Sequence, residues 1–148
     1  MKGEVIAICA SSRKGTKKMP RESGYFEEDY GLVGDAHAEK RSKRQVSLLS
    51  EESIQLMRSL GLDVGPGDFA ENITVRNFRV HQLQPGTRLR IGQVLLEITQ
   101  VGKQCHSRCA IYRQVGKCIM PEQGVFARVL KGGEVRVGDR VEIAGEEG

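Results

Sequence analysis

The residue best suited to chemistry is Cys105, because cationic side chains surround it in the sequence. Lys103 precedes it by two residues, His106 is its neighbour and Arg108 follows by three. A free thiol has a pKa near ~8.5 and is only a few per cent thiolate at neutral pH, so it needs nearby positive charge to become nucleophilic. We predict that these three side chains lower the pKa of Cys105 and make it reactive.

The wider segment around Cys105 favours anions, since residues 103–131 contain six basic residues and a single acidic one. Such a segment suits a thiolate, a phosphate or an oxyanion. One alternative is that Cys105 and Cys109 are small, half-buried apolar residues. Another is a structural zinc site, because Cys105, His106, Cys109 and Cys118 offer up to four soft ligands.

Two other polar clusters have side chains that could serve a site. Asp35 and His37 follow two glycines that permit a sharp turn, and they can orient a ligand or act as acid and base. The alternative makes Asp35 a turn acceptor and His37 a surface residue. Asp68, Glu71 and Asn72 either line a polar pocket or hold a loop in place.

The elements that must position these residues are mostly short strands. Residues 5–10 are apolar on both faces, which predicts a buried strand with Cys9 in the core. Alternation around Gly92-Gln93 predicts a hairpin over residues 88–98, and residues 135–143 repeat that pattern. Residues 45–49 and 72–75 also read as strands.

Helical spacing occurs at two places. Ile54, Met57 and Leu60 follow Ser50, which is a suitable N-cap, and Gly61 is a suitable stop. Residues 125–130 have similar spacing and predict a second helix. Residues 11–31 lack periodicity and predict a long surface loop that carries a basic cluster. A second basic cluster ends at Arg44.

Together these patterns predict a mainly β protein in a single domain over residues 1–148. About seven strands and two or three short helices suggest a closed or nearly closed β-barrel decorated by helices. The segment from Gly102 to Cys109 directly follows a predicted strand, so we expect Cys105 at the barrel rim, where function is commonly placed.

Composition excludes several classes of protein. The longest apolar run has six residues, so we expect no membrane span and no signal peptide. We therefore expect a cytoplasmic protein with reduced cysteines. The net charge is only +4 and seven residues are aromatic, so nucleic acid is not an expected partner.

Five segments, in order along nearly the whole chain, resemble the molybdenum cofactor sulfurase C-terminal (MOSC) domain family. They are GLVGDAH (residues 31–37), RQVSLL (44–49), GDFAENIT (67–74), GKQCHSRC (102–109) and GD (138–139). The resemblance implies a barrel-like β fold, a working cysteine at Cys105 and traffic with the molybdenum cofactor, a pterin that carries a phosphate and a molybdenum ion.

The resemblance implies two activities, and the residues leave both open. Cys105 carries sulfane sulfur or ligates molybdenum, and some relatives reduce N-hydroxylated compounds with the cofactor. On this basis Asp35, His37 and His106 join Cys105 as catalytic candidates. The cofactor-binding candidates are Lys103, Arg108, Arg113, Arg44 and Asn72.

The resemblance also bears on partners. A molybdenum enzyme or a cysteine desulfurase is an expected partner. Pyridoxal phosphate is not expected in this chain, because its lysine belongs to a separate domain of the full sulfurases. A zinc-stabilised structural or interaction module is the alternative from another class of protein.

Overall fold

The computed structural model describes residues 2–13, 18–102 and 123–145 of the chain. These ranges contain eleven strands, one α-helix and one short 3-10 helix. The strands are β1 (Lys2–Ala10), β2 (Met19–Arg21), β3 (Ser23–Glu27), β4 (Gly31–Leu32), β5 (Val46–Ser50), β6 (Ile73–Arg76), β7 (Arg88–Ile91), β8 (Val94–Val101), β9 (Val125–Lys131), β10 (Gly133–Arg136) and β11 (Arg140–Ile143). The helix α1 is Glu51–Ser59, and the 3-10 helix is Val80–Gln82.

Seven of the strands form a closed barrel in the order β11-β7-β8-β9-β5-β6-β1, which pairing of β1 with β11 completes. All of its neighbouring strands are antiparallel except β5 and β6. Strand β2 extends the sheet beside β1. The predicted mainly β, barrel-like fold is therefore confirmed.

A second sheet of three strands has the order β10-β3-β4 and packs on the barrel. Phe26, Leu32 and Val135 from this sheet belong to the same apolar core as the barrel residues Val5 and Leu96. The two sheets therefore share one core.

Strand β5 shows how the barrel positions side chains on both of its faces. Val46 and Leu48 belong to the main core inside the barrel, whereas Leu49 packs with Ile54 and Met57 of α1. Since side chains alternate along a strand, Ser47 shares the outer face with Leu49. The outer face of β5 thus has an apolar half under α1 and a polar position at Ser47.

The helix after residue 50 is confirmed, but Ser50 does not cap it with its side chain. The Ser50 hydroxyl donates to the Phe78 carbonyl at 2.6 Å and accepts from the Val80 amide at 3.1 Å. The hydroxyl therefore joins α1 to the 3-10 helix. Gly61 has a φ of +94°, as expected for a glycine that follows a helix end. Leu60 is exposed.

The predicted helix over residues 125–130 is wrong, because these residues lie in β9. The apolar spacing fits both structures, and the choice is made by pairing: β9 bonds to β8 on one side and to β5 on the other. The β-branched Val125 and Val129 also suit a strand. Tertiary pairing overrides the local pattern here.

The hairpin around Gly92-Gln93 is confirmed, with Ile91 opposite Val94. The second predicted hairpin is right in its strands and wrong in its pairing. Strand β10 pairs with β3, whereas β11 pairs with β1 and β7. The connection through Gly138 carries the chain from the three-stranded sheet to the barrel. There the Gly138 amide donates to the Val5 carbonyl of β1 at 2.7 Å.

The predicted long loop over residues 11–31 is also wrong. It contains β2, β3 and the start of β4, which are short strands. Strand β2 pairs with β1, and β3 pairs with both β10 and β4. Strands of three to five residues in a glycine-rich and charged segment show too few alternations to be recognised. In the described part of the chain, no helix has the length and apolar character needed to cross a bilayer.

Candidate functional site

A small pocket lies on the outer face of the barrel, where β5 and β9 are paired. Its volume is about 80 Å³. It is lined by His37, Arg44, Ser47, Phe69, Ala70, Asn72 and Phe126. Pockets for whole small molecules usually measure roughly 300–1,000 Å³, so this one accommodates an end group of a larger ligand. Three candidates from the sequence, His37, Arg44 and Asn72, meet here.

Arg44 provides the positive charge at the pocket. Its guanidinium carbon lies 5.0 Å from the centre of the Phe126 ring, in a cation–π arrangement. Its Nε donates to Gln100 Oε1 at 3.2 Å. Among the described residues, its two terminal nitrogens have no hydrogen-bond partner. The ring and the Gln100 amide therefore orient a guanidinium that can still bind an anion.

Beside the pocket, Lys18 joins two of the predicted residues. Its Nζ donates to Asp35 Oδ1 at 2.6 Å and lies 3.0 Å from His37 Nδ1. The side chains of Lys18 and Asp35 are completely buried, whereas 37% of the His37 side chain is exposed. The ion pair is thus internal, and the imidazole connects it to the pocket.

Asp35 is ionised as a result of its hydrogen bonds. Burial is the largest single influence and raises its pKa, but hydrogen bonds from Lys18, the Ser11 amide and Asn72 outweigh it. The net effect is a pKa below the ordinary aspartate value. The backbone amide of His37 also donates to Asp35, to Oδ2 at 3.2 Å. Asp35 is therefore a turn acceptor and the partner of Lys18 at once.

The sequence interpretation missed Lys18, which it placed in an exposed basic cluster. The residue is 2% exposed, and its backbone amide donates to the Gly67 carbonyl at 3.0 Å. A lysine within a run of basic residues gives no local signal of burial. Only the contact with Asp35, which is 17 residues away, distinguishes it from its neighbours.

Asn72 both lines the pocket and holds it together. Its Oδ1 accepts from the Ser47 amide at 3.0 Å, and its Nδ2 donates to the Cys9 carbonyl at 3.2 Å. Its own amide donates to the Ser47 carbonyl at 2.9 Å. The side chain therefore ties β1 to β5 just before β6 begins. Asn72 thus lines a polar pocket and also holds its loop in place, which were the two alternatives from the sequence.

Glu71 stabilises the loop that leads into Asn72 and does not line the pocket. It is fully buried and accepts from the Phe69 amide at 3.2 Å and from Thr74 Oγ1 at 2.9 Å. Burial raises its pKa and outweighs these hydrogen bonds. Between Phe69 and Glu71, Ala70 has a φ of +63° and its carbonyl accepts from Ser47 Oγ. The loop therefore holds a rare backbone conformation at the pocket wall.

Gly67 lets this loop approach Lys18. Its φ is +90°, and a Cβ at this position would lie 2.2 Å from the Lys18 carbonyl oxygen. That distance is too short for any side chain. The glycine is therefore required by the close contact between the loop and residue 18.

Cys9 is a core residue, as predicted. It is fully buried, and burial raises its pKa to about 12, with Glu71 and Asp68 adding to the increase and Lys18 opposing it. A thiol with this pKa stays protonated at neutral pH. Cys9 is therefore inert as a nucleophile.

The remaining candidates lie outside the described residues. They are Lys103, Cys105, His106, Arg108 and Arg113, together with Cys109 and Cys118 of the zinc alternative. The end of β8, just before this segment, is hydrogen-bonded to the pocket residue Arg44. Gln100 accepts from Arg44 and donates through Nε2 to the Gly102 carbonyl at 2.9 Å, and the Gly102 amide donates to the Gly124 carbonyl at 2.6 Å.

Two other observations concern alternative sites. A larger, open groove of about 780 Å³ lies between β1, β2 and the end of β10. It contains none of the predicted site residues, and its two arginines, Arg21 and Arg136, contact Val33 and Glu134 respectively. No group of three or more histidine, cysteine or acidic residues suited to a metal ion occurs in the ranges that the structure describes.

A family model described as MOSC domain matches residues 33–142. A search of curated proteins finds no match.

Several solved structures share the fold. The YuaD protein of Bacillus subtilis superimposes with a TM-score of 0.80 at 17% identity, covering 97% of this chain and 96% of that one. YiiM of Escherichia coli has a TM-score of 0.67 at 17% identity, covering 99% and 71%. YiiM of Geobacillus stearothermophilus has a TM-score of 0.65 at 16% identity, covering 96% and 75%. At these identities the likeness concerns the fold alone.

Proposed function

Since the chain belongs to the MOSC domain family, we propose that it handles the molybdenum cofactor through a reactive thiol at Cys105. In this proposal Cys105 either carries sulfane sulfur or ligates molybdenum. The observation that carries the proposal is the oriented guanidinium of Arg44 beside His37 in a pocket sized for one end group.

The described residues fit an anionic end of this cofactor. A phosphate prefers guanidinium and N–H donors, and Arg44 offers terminal nitrogens held in place by Phe126 and Gln100. The backbone around Ser47 and Asn72 is already bonded within the protein, so it forms a rigid wall. Phosphate binding by Arg44 and His37 needs no rearrangement of these elements.

The remaining basic residues extend the same chemistry. Lys103, Arg108 and Arg113 follow Gly102 in the sequence and add positive charge for the cofactor and for the Cys105 thiolate. When bound, the cofactor supplies a molybdenum centre capable of redox and sulfur chemistry. The chain supplies the anion site and the thiolate, and hydrogen bonds connect Arg44 through Gln100 to Gly102, which precedes Cys105 in the sequence.

Sulfur carriage is a simple exchange at Cys105. Its thiolate attacks the terminal sulfur of a donor persulfide, such as that of a cysteine desulfurase. A new S–S bond forms at Cys105 while the S–S bond of the donor breaks, and the donor leaves as a thiolate. The electrons balance within the exchange, so no external oxidant is required.

The test is mass spectrometry of the intact protein after incubation with a cysteine desulfurase and cysteine, together with molybdenum and zinc analysis of the same sample. Addition of one sulfur atom that Cys105→Ala abolishes and the control Cys109→Ala retains is the result expected for carriage. Molybdenum bound by the wild type and lost from Cys105→Ala is the result expected for ligation.

Three results would overturn the proposal. One is sulfur loading that survives Cys105→Ala and disappears only in Cys109→Ala. Another is the absence of both sulfur loading and molybdenum binding. The third is one tightly bound zinc per chain whose removal unfolds the protein, which would establish the structural zinc module instead.

A further inference from the structure

Lys18 places a constraint on the protons of His37. An ammonium group has three N–H donors and no acceptor. Lys18 Nζ lies 2.6 Å from Asp35 Oδ1 and 3.0 Å from His37 Nδ1, so both contacts are within hydrogen-bond distance. If Lys18 donates to both partners, Nδ1 must offer its lone pair, and the imidazole proton must be on Nε2.

The charges around this group support the ammonium form. Asp35 is fully buried and also accepts from the amides of Ser11 and His37, as an ionised carboxylate does. Its charge balances that of the buried Lys18. Within the ranges that the structure describes, two charged groups face Nδ1: Lys18 Nζ at 3.0 Å and Asp35 Oδ2 at 4.0 Å. The ammonium is the nearer one, and a proton on Nδ1 would replace its hydrogen bond with a contact between two donors.

We propose that Lys18 is a positioning residue that fixes His37 as the neutral tautomer protonated on Nε2. With Nδ1 bonded to Lys18 and the proton on Nε2, the imidazole offers the pocket no acceptor, and together with the Arg44 guanidinium it favours a ligand group that only accepts, such as a phosphate or another oxyanion. The assignment of this group to a cofactor rests on the proposed function, whereas the tautomer does not.

The same ion pair also anchors His37 to the barrel. The Lys18 amide is bonded to Gly67, and Asp35 is bonded to Ser11 at the end of β1. The pair therefore fixes the imidazole relative to the barrel itself, and not only relative to its own loop. A hydrogen-bond donor held in this way needs no reorganisation when an anion binds.

The tautomer is tested by 15N NMR of the full chain at pH 8, where histidine side chains are mostly neutral. Two-bond 1H–15N correlations distinguish the two tautomers, and His37→Gln identifies the signals of His37 among those of the three histidines. The 15N shift of Lys18 Nζ shows whether it is an ammonium. The expected result is an ammonium at Lys18 and a single Nε2–H form at His37.

The decisive variant is the double substitution Lys18→Met with Asp35→Asn. It removes both charges together, so it avoids the cost of leaving one buried charge unpaired. The imidazole signals are expected to move to the averaged position of a mixed tautomer population. His81→Gln, which changes a histidine away from the pocket, is the matched control and should leave the His37 signals unchanged.

Inorganic phosphate is the probe for the ligand class, with binding followed by the same spectra. His37→Ala should weaken phosphate binding about tenfold, the usual size of one hydrogen bond to a charged group, and His37→Gln should recover part of the loss. An Nδ1–H tautomer in the wild type, a neutral Lys18, or an unaveraged tautomer in the folded double variant would overturn the positioning role. A phosphate affinity that is the same in the wild type and in His37→Ala would overturn the ligand class. Neither result depends on molybdenum or on Cys105, so each is distinguishable from a failure of the proposed function.

Discussion

The hairpin of β7 and β8 and the pocket on β5 are built in opposite ways. In the hairpin, Ile91 pairs with Val94 across a two-residue turn, and β7 and β8 pair with each other through residues that are close neighbours in the sequence. At the pocket, Asn72 bonds to Cys9, 63 residues away, and Lys18 bonds to Asp35. The hairpin is therefore specified locally, whereas the pocket exists only after distant segments have met.

The two regions also differ in what they bury. Leu89, Ile91 and Leu96 of the hairpin are apolar and fully buried, while the pocket region buries Asp35 and Glu71. In an interior of low dielectric constant, a satisfied polar network is stable, but the loss of one partner is costly. Substitutions at the pocket should therefore have larger effects than matched substitutions in the hairpin.

The largest effect is expected for Asp35→Ala, because it leaves the Lys18 charge buried and unpaired. The free energy of unfolding should fall by about 3–5 kcal/mol, measured by urea denaturation. The matched control is Glu97→Ala in β8, whose ion pairs with Arg88 and Arg128 lie at the surface. That change should cost less than about 1 kcal/mol, and equal costs at the two sites would contradict the comparison.

A smaller effect is expected for Gly67→Ala, which tests the contact between the pocket loop and Lys18. Gly67 and Gly86 have nearly equal φ angles of +90° and +94°, but a Cβ at Gly86 would meet nothing within 4 Å. Alanine at either position is therefore strained to a similar degree by the positive φ angle, and only Gly67→Ala adds a steric clash. It should unfold at lower urea concentration, with an extra loss of roughly 1–3 kcal/mol. Indistinguishable midpoints would show that the loop can move away.

The smallest effect is a change in the pH dependence of stability. Because burial raises the pKa of Glu71 above its usual value of 4.5, its favourable contribution is present below pH 4.5 and is lost as the pH rises through the folded-state pKa. Asp35 has a lowered pKa, so its contribution is present above pH 3.8 and is lost as the pH falls through its folded-state pKa.

Glu71→Gln isolates the first of these contributions. The variant should gain stability relative to the wild type as the pH rises from 4.5 to neutrality, since Gln cannot ionise. Urea denaturation across this range gives the difference directly. A constant difference over the whole range would show that Glu71 has the same pKa in the folded and unfolded states.

Sequence patterns predicted the parts of the fold that local chemistry specifies. The alternation of Arg88 to Ile91 and the turn at Gly92 are local signals that predict this hairpin. Residues 125–130 show the limit, because their apolar spacing fits a helix as well as a strand. Their place between β5 and β8 decides the outcome, and that place is a property of the whole barrel.

The candidate site shows the same limit. Residue type, neighbouring glycines and the resemblance to family segments single out four residues that the structure brings together: Asp35, His37, Arg44 and Asn72. No sequence signal singles out Lys18, since only burial beside Asp35 makes it different from the other lysines of its cluster. A long-range ion pair leaves no trace in local composition.

The hydrogen bond from the Gly102 amide to the Gly124 carbonyl has a consequence for how such a barrel can diversify. The chain departs from β8 and rejoins β9 at two positions that are already bonded to each other. The intervening residues 103–123 can thus be exchanged for a connection of another length at little thermodynamic penalty, since doubling a connection costs only about 0.6 kcal/mol. The sequence between these two anchor points can therefore vary while the pocket on β5 keeps its hydrogen bonds.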